Sequence, residues 1–232
     1  MSAARTLDHA LALLQFGDSM FPVGAFSFSN GLESAVEEGV VHDRSSLAGF
    51  VGTAVRQAAG CDAIGVLEGH RGARTEDRER VRLADAAVFT RKLNEEMRTM
   101  TVRMGHKLAE ASVRIAPSPG TSAWSRDIAD GLTPGTYPVG IGVALAGLGL
   151  PETDAFAMHQ YGVAMTMVGA ATRLMRLHHL DAQSIVFEAG RTAPEDYKRV
   201  ASLTTEDMAT FAPATDVLAG IHVDSFVRMF MN

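Results

Sequence analysis

Apolar positions recur at helical spacing along most of the chain. Leu7, Leu11 and Leu14 predict a short helix ending near Phe16. Gly31 to Glu38 predicts another, with Ser29 or Asn30 as its cap. Asp43, Ser45 and Ser46 offer caps for a long helix. Behind them Leu47, Phe50, Val51, Ala54, Val55, Ala58, Cys61 and Ile64 keep to one face, and His70-Arg71-Gly72 ends it. Thr75-Glu76-Asp77 starts a proline-free stretch to about Ile115, read as two helices or one broken helix. Pro117-Ser118-Pro119-Gly120 is the clearest breaker. Residues 117 to 136 read as a Pro/Gly/Ser-rich connection around Trp124, with one helical turn at Ser125 to Asp130.

The helical theme resumes at Tyr137 to Leu150, which is rich in Gly and Ala and so permits close helix approach. Thr153 or Asp154 caps a long apolar helix to about Leu177, Asp181 caps another to Glu188, and Pro194-Glu195-Asp196 opens one more. No run of alternating β-branched residues and no hairpin dipeptide occurs. The expected fold is all-α: a single-domain helical bundle of roughly eight to ten helices over residues 1–232. Residues 213–232 follow Pro213 without a strong cap and are expected to form a mobile tail.

One stretch departs from the helical pattern. Residues 18–33, DSMFPVGAFSFSNGLE, alternate like a strand but are interrupted by Pro22 and Gly24. Pro22 disfavours a helical Phe21, and Gly24 can supply a positive φ. If the segment is extended, Phe26 and Phe28 share one side. Two readings stand: a loop that plugs the domain's own core, or a preshaped docking surface with aromatic anchors.

Charge and composition narrow the class of protein. The net charge of −6 gives no global attraction to nucleic acid or anionic lipid. A single cysteine, Cys61, excludes an internal disulfide framework and fits a reducing compartment. The N-terminus lacks the basic region and long apolar run of a signal peptide. Tyr137 to Leu150 and Tyr161 to Met175 fall short of the roughly 20 residues that a membrane span requires. A soluble, cytoplasmic protein is expected. Arg78, Arg80, Arg82, Arg91 and Lys92 alternate with acids and read as a solvated face.

Enzymatic signatures are missing. There is no phosphate-binding G-x-x-x-x-G-K-[ST], and Gly140-Ile141-Gly142 lacks the third glycine and preceding strand of a dinucleotide site. No G-x-S-x-G elbow occurs, and no histidine adjoins Ser27 or Ser29 in sequence. His178-His179 reads as a pair of cations at a helix C-terminus, and no cluster offers four zinc ligands. No catalytic residue, cofactor or metal site is expected. The alternative is a small helical ligand-binding protein or hydrolase with a site around Ser27, in need of a base supplied by the fold.

The opening stretch, with Leu13-Leu14-Gln15 before it, resembles the N-terminal signature of the urease accessory UreF family. Four further blocks are similar and in order. They are Asn94-Glu95-Glu96-Met97-Arg98 with Arg103-Met104-Gly105; Tyr137-Pro138-Val139-Gly140; Ala170-Ala171-Thr172-Arg173-Leu174 with Gln183; and a tail of Pro213, Asp216-Val217, His222 and Arg228-Met229-Phe230. Val223, Met229 and Asn232 depart from the residues usual in that tail.

The resemblance implies a non-catalytic, all-helical homodimer that bridges UreD (also called UreH) and the GTPase UreG for nickel insertion into apo-urease. It implies two partner-contact zones. One is the opening block, with Pro22, Gly24, Phe26, Ser27 and Glu33. The other is the tail, with His222, Arg228 and Phe230. Glu96 and Arg98 either join that surface or form a salt bridge within their helix, and the Gly/Ala-rich helix forms the core or the dimer interface.

Overall fold

The computed structural model describes residues 6–209, 211–221 and 229–230. These residues form α-helices and two 3-10 turns, with no strand among them, so the all-α expectation holds. In chain order the helices are α1 (Leu7–Phe16), α2 (Leu32–Glu37), α3 (Arg44–Gly60), α4 (Asp62–Arg74), α5 (Arg78–Thr90) and α6 (Glu95–Ile115). They continue as α7 (Pro119–Ala129), α8 (Tyr137–Gly147), α9 (Glu152–Leu174), α10 (His179–Gly190), α11 (Ala193–Val200) and α12 (Pro213–Ile221).

The Gly/Ala-rich helix α8 is the axis of the bundle and belongs to the core. Every residue from Pro138 to Ala146 is buried, and α4, α6, α7 and α9 pack around it. Small residues set how closely these helices meet. A Cβ on Gly142 would collide with the carbonyl oxygen of Val66, and one on Gly69 would stand 2.9 Å from that of Val139.

Several features differ from the sequence expectation. The long helix after Asp43 is two helices, broken at Cys61 (φ −133, ψ −80). There the carbonyl of Gly60 accepts the amide of Ala209 at 3.1 Å, a partner about 150 residues away that no local pattern announces. The connection after Pro117 contains a full helix, α7. Ser118 and Thr121 form a reciprocal capping box, and Pro119 occupies the first turn. Finally, His178 caps the N-terminus of α10 through Nδ1, which accepts the amide of Leu180, instead of serving as a cation at a helix C-terminus.

The basic row between Arg78 and Lys92 is not a solvated face either. Arg80 binds Glu68 at 2.7 Å, Arg78 and Arg82 converge on the buried Asp127, and Lys92 binds Asp62 at 2.6 Å. Arg91 donates to the carbonyls of Met208 and Thr205. Each partner sits on another element, so these cations tie helices together.

Asp85 is the strongest node of this polar framework. It is fully buried and accepts from Trp124 Nε1, the Thr133 hydroxyl, the amides of Gly135 and Thr136, and the Thr136 hydroxyl. A buried carboxylate is tolerable only when it is saturated in this way. Its effect is to seat Thr136, the residue before α8, against α5 and α7.

Candidate docking site

The aromatic stretch between α1 and α2 buries two of its phenylalanines in the core and leaves the third at the surface. Gly24 takes φ 81, and Ala25–Ser27 then form a 3-10 turn. Ser27 donates to the Gly24 carbonyl and Phe28 to that of Ala25, each at 3.2 Å. Phe28 leaves the turn extended. The turn abolishes the period of two, so Phe26 and Phe28 do not share a side. Phe26 is 71% exposed whereas Phe28 is 4% exposed. Phe16 and Phe21 stack at 4.7 Å and join Phe28, Met104 and Leu145 in one buried cluster. The stretch thus anchors itself through Phe21 and Phe28 and projects Phe26. Pro22 lies exposed beside it, with Gly24 and Ser27 half-buried.

Glu33 lies on the inside of the structure, not at its surface. The N-cap of α2 is Gly31 (φ 77) and not Ser29 or Asn30 as the sequence suggests, although Ser29 Oγ accepts the Glu33 amide at 3.3 Å. The Glu33 side chain is buried, and its carboxylate accepts the amides of Met229 at 2.7 Å and Phe230 at 3.0 Å. Phe230 is itself 4% exposed and packs with Leu32, Val51 and Leu218. The described part of the tail is therefore seated on the opening block. Helix α12 lies over α2, with Ala219 close enough to Gly31 that a Cβ there would stand 3.3 Å from its amide nitrogen.

Arg173, near the end of α9, links the two zones. Its guanidinium lies 4.1 Å from the ring centre of Phe230 and donates to the carbonyl of Phe26 at 2.7 Å. Sequence reasoning placed Arg173 in a motif but gave it no role. His222 and Arg228 lie outside the described residues. Arg98 donates to the Lys92 carbonyl at 2.8 Å and so ties α6 to the end of α5.

A cleft of about 450 Å3 opens beside the turn, between α3, α6 and α9. Met97, Met100, Met104, Met158 and Met165 contribute to its walls, a lining that adapts readily to apolar side chains. The Lys92–Asp62 pair and His159 also line it. Burial pushes the His159 ring down to about 4, so it is neutral near pH 7. Burial likewise pushes the Cys61 thiol up to about 12, which leaves it unreactive. Among the described residues, no histidine hydrogen-bonds to Ser27, and no group of three His, Cys, Asp or Glu side chains could hold a metal ion. No helix among them is long and apolar enough to cross a membrane.

These features define an all-helical bundle whose distinctive surface is a projecting aromatic turn, a tail seated beside it and an apolar cleft. The UreF family model matches residues 41–190. The chain is 51% identical to "Urease accessory protein UreF 2" of Brucella canis, over all of this chain and 95% of the relative. It is 51% identical to "Urease accessory protein UreF 1" of Brucella melitensis, over all of this chain and 96% of that protein. The UreF of Yersinia pseudotuberculosis is 48% identical over 96% of this chain and 97% of its own length. The chain belongs to the UreF family. The relatives cover the opening block, which lies outside the span of the family model.

Proposed function

We propose that this protein is a urease accessory factor that acts as a non-catalytic scaffold. In this reading it works in the cytoplasm as a homodimer. It bridges UreD/UreH and the GTPase UreG while nickel is inserted into apo-urease. The observation that carries the reading is the near full-length similarity to proteins named urease accessory protein UreF. The geometry supports it: an exposed Phe on a projecting turn has the character of an interface anchor, and the methionine-walled cleft beside it suits apolar partner side chains.

Deletion of the gene in a urease-positive host tests the proposal. Urease activity is expected to collapse and to return on complementation, and the tagged chain is expected to co-purify with UreD and UreG. Full activity in the deletion strain without added nickel would overturn it.

A further inference from the structure

The projecting turn has few restraints of its own. It is closed by two 3-10 hydrogen bonds, and a Cβ on Gly24 would meet nothing within 4 Å. Its outer carbonyl, on Phe26, is held by the charged Arg173 side chain. Arg173 in turn rests on the ring of Phe230, and a longer 3.4 Å hydrogen bond ties it to Gly169 of its own helix. Phe230 is fixed from behind by Glu33 and by the core residues Leu32, Val51 and Leu218. A continuous set of contacts therefore runs from Glu33 through Phe230 and Arg173 to Phe26.

We infer that Arg173 is a latch that makes the presentation of Phe26 conditional on the seating of Phe230, so that turn and tail form one coupled docking surface. A partner that draws Phe230 out removes the platform under Arg173 and loosens the turn. A partner that grips the turn as it stands holds the tail down. Coupling between two sites is reciprocal, so each effect requires the other. Phe26, Arg173 and Thr215 also line the cleft, so the latch bounds it on one side. The consequence for assembly rests on the scaffold reading above, whereas the coupling is a property of the free chain and is measurable there.

Amide hydrogen exchange on the full chain tests it. Phe230→Leu keeps apolar bulk and removes the ring. Exchange at the amides of Ser27 and Phe28 is expected to rise about two- to fivefold, the worth of one exposed cation–π contact, with the amides of α8 unchanged. In an Arg173→Ala chain the same substitution is expected to add nothing at the turn. Val88→Ala, which loosens a separate core cluster containing neither Phe230 nor Arg173, is expected to leave the turn at its wild-type rate.

Arg173→Lys provides a second arm should Phe230→Leu not fold. It keeps the charge, loses the planar stack and is expected to speed exchange at the Phe230 amide. The latch is overturned by an unchanged turn in Phe230→Leu, by an equal rise in Val88→Ala, by an effect that persists in Arg173→Ala, or by an unchanged Phe230 amide in Arg173→Lys. A chain that shows the coupling but binds neither accessory partner would sink the scaffold reading alone.

Discussion

Glu33 and Phe230 meet across 197 residues of sequence, with Glu33 Oε2 accepting the Phe230 amide at 3.0 Å. Both residues are buried, and Glu33 Oε1 takes the neighbouring Met229 amide. The contact converts a glutamate of the opening block into an acceptor for the tail. Glu33→Ala is expected to cost about 2–4 kcal/mol, because it leaves two amides without their carboxylate. Glu33→Gln, which keeps one good acceptor, should cost roughly half as much. Urea denaturation measures both, and an alanine variant within about 0.5 kcal/mol of wild type would contradict the assignment.

Asp85 has the larger predicted effect. Its carboxylate is the common acceptor for Trp124, Thr133, Gly135 and Thr136. Asp85→Ala leaves these donors buried without their shared partner, a loss of about 4 kcal/mol or more. Asp85→Asn turns an amide group toward donors and should fare little better. Thermal melting and near-UV circular dichroism would show the damage around Trp124. A cooperative transition at the wild-type temperature in either variant would refute the role.

The same two carboxylates show where the sequence is legible and where it is not. Neither Asp85 nor Glu33 stands out locally, since the value of each comes from donors far along the chain. The break at Cys61 and the pairing of Arg78, Arg80 and Arg82 with Asp127 and Glu68 are hidden for the same reason. Periodicity, by contrast, locates α1 and α3, because burial of one face is written at a spacing of three and four, while start signals and the absence of proline mark α5 and α6 and a Gly/Ala-rich apolar run marks α8, which is buried on every side. Composition misleads at α7: Pro119 and Ser118 look like loop residues but act as a first-turn proline and a cap. The aromatic turn is half legible. Gly24 signals a positive φ, but the 3-10 turn that sends Phe26 and Phe28 opposite ways depends on their tertiary surroundings.

Glycine positions divide by what a methyl group would meet. Gly142→Ala drives a Cβ into the α4 backbone at Val66 and His70, which cannot move aside as a flexible side chain could. Loss of at least about 3 kcal/mol, or failure to accumulate in soluble form, is expected. Gly49, exposed on α3, is the opposite case, since a Cβ there would meet nothing within 4 Å. Gly49→Ala should stabilise by about 0.5–1 kcal/mol through helix propensity and reduced unfolded-state entropy. Urea midpoints that moved in the same direction for both would show that the close approach of α4 and α8 is not what Gly142 serves.

Acid should destabilise the fold in two stages. Burial depresses the His159 ring from 6.5 to about 4, so the unfolded chain takes up this proton first. Stability is therefore lost as pH falls from roughly 6.5 to 4. Below that, the carboxylates contribute. Hydrogen bonds from Arg82 hold Asp127 below its ordinary value against the opposing effect of burial, with Arg78 adding to them. Burial alone would raise Glu152, but hydrogen bonds from Arg71 and Tyr197 outweigh it and hold that carboxyl low. A depressed carboxyl stabilises above its unfolded value and loses that contribution as pH falls toward its folded one. Urea midpoints against pH should fall in both windows. His159→Gln should make the upper one shallower, leaving the part that comes from His70, whose ring burial also lowers, and should leave the lower intact; an unaltered profile would exclude His159 as a source.

Phe26 and Phe28 offer the sharpest separation of docking from folding, because two residues of the same type sit two positions apart in opposite surroundings. Phe28 is 4% exposed and packs among Phe21, Met104 and Leu145. Phe28→Ala is expected to cost about 3–5 kcal/mol. Phe26 is 71% exposed, and its ring has little to lose in the free protein. Phe26→Ala should leave the urea midpoint within about 0.5 kcal/mol of wild type. In pull-down assays with UreD and UreG, however, it should weaken capture by about tenfold or more, the range in which interface anchors act. Stability and capture read together decide the matter. A Phe26→Ala chain that melts early would place this ring in the core of the free protein, whereas one that is stable and still captures both partners would remove the turn from the docking surface.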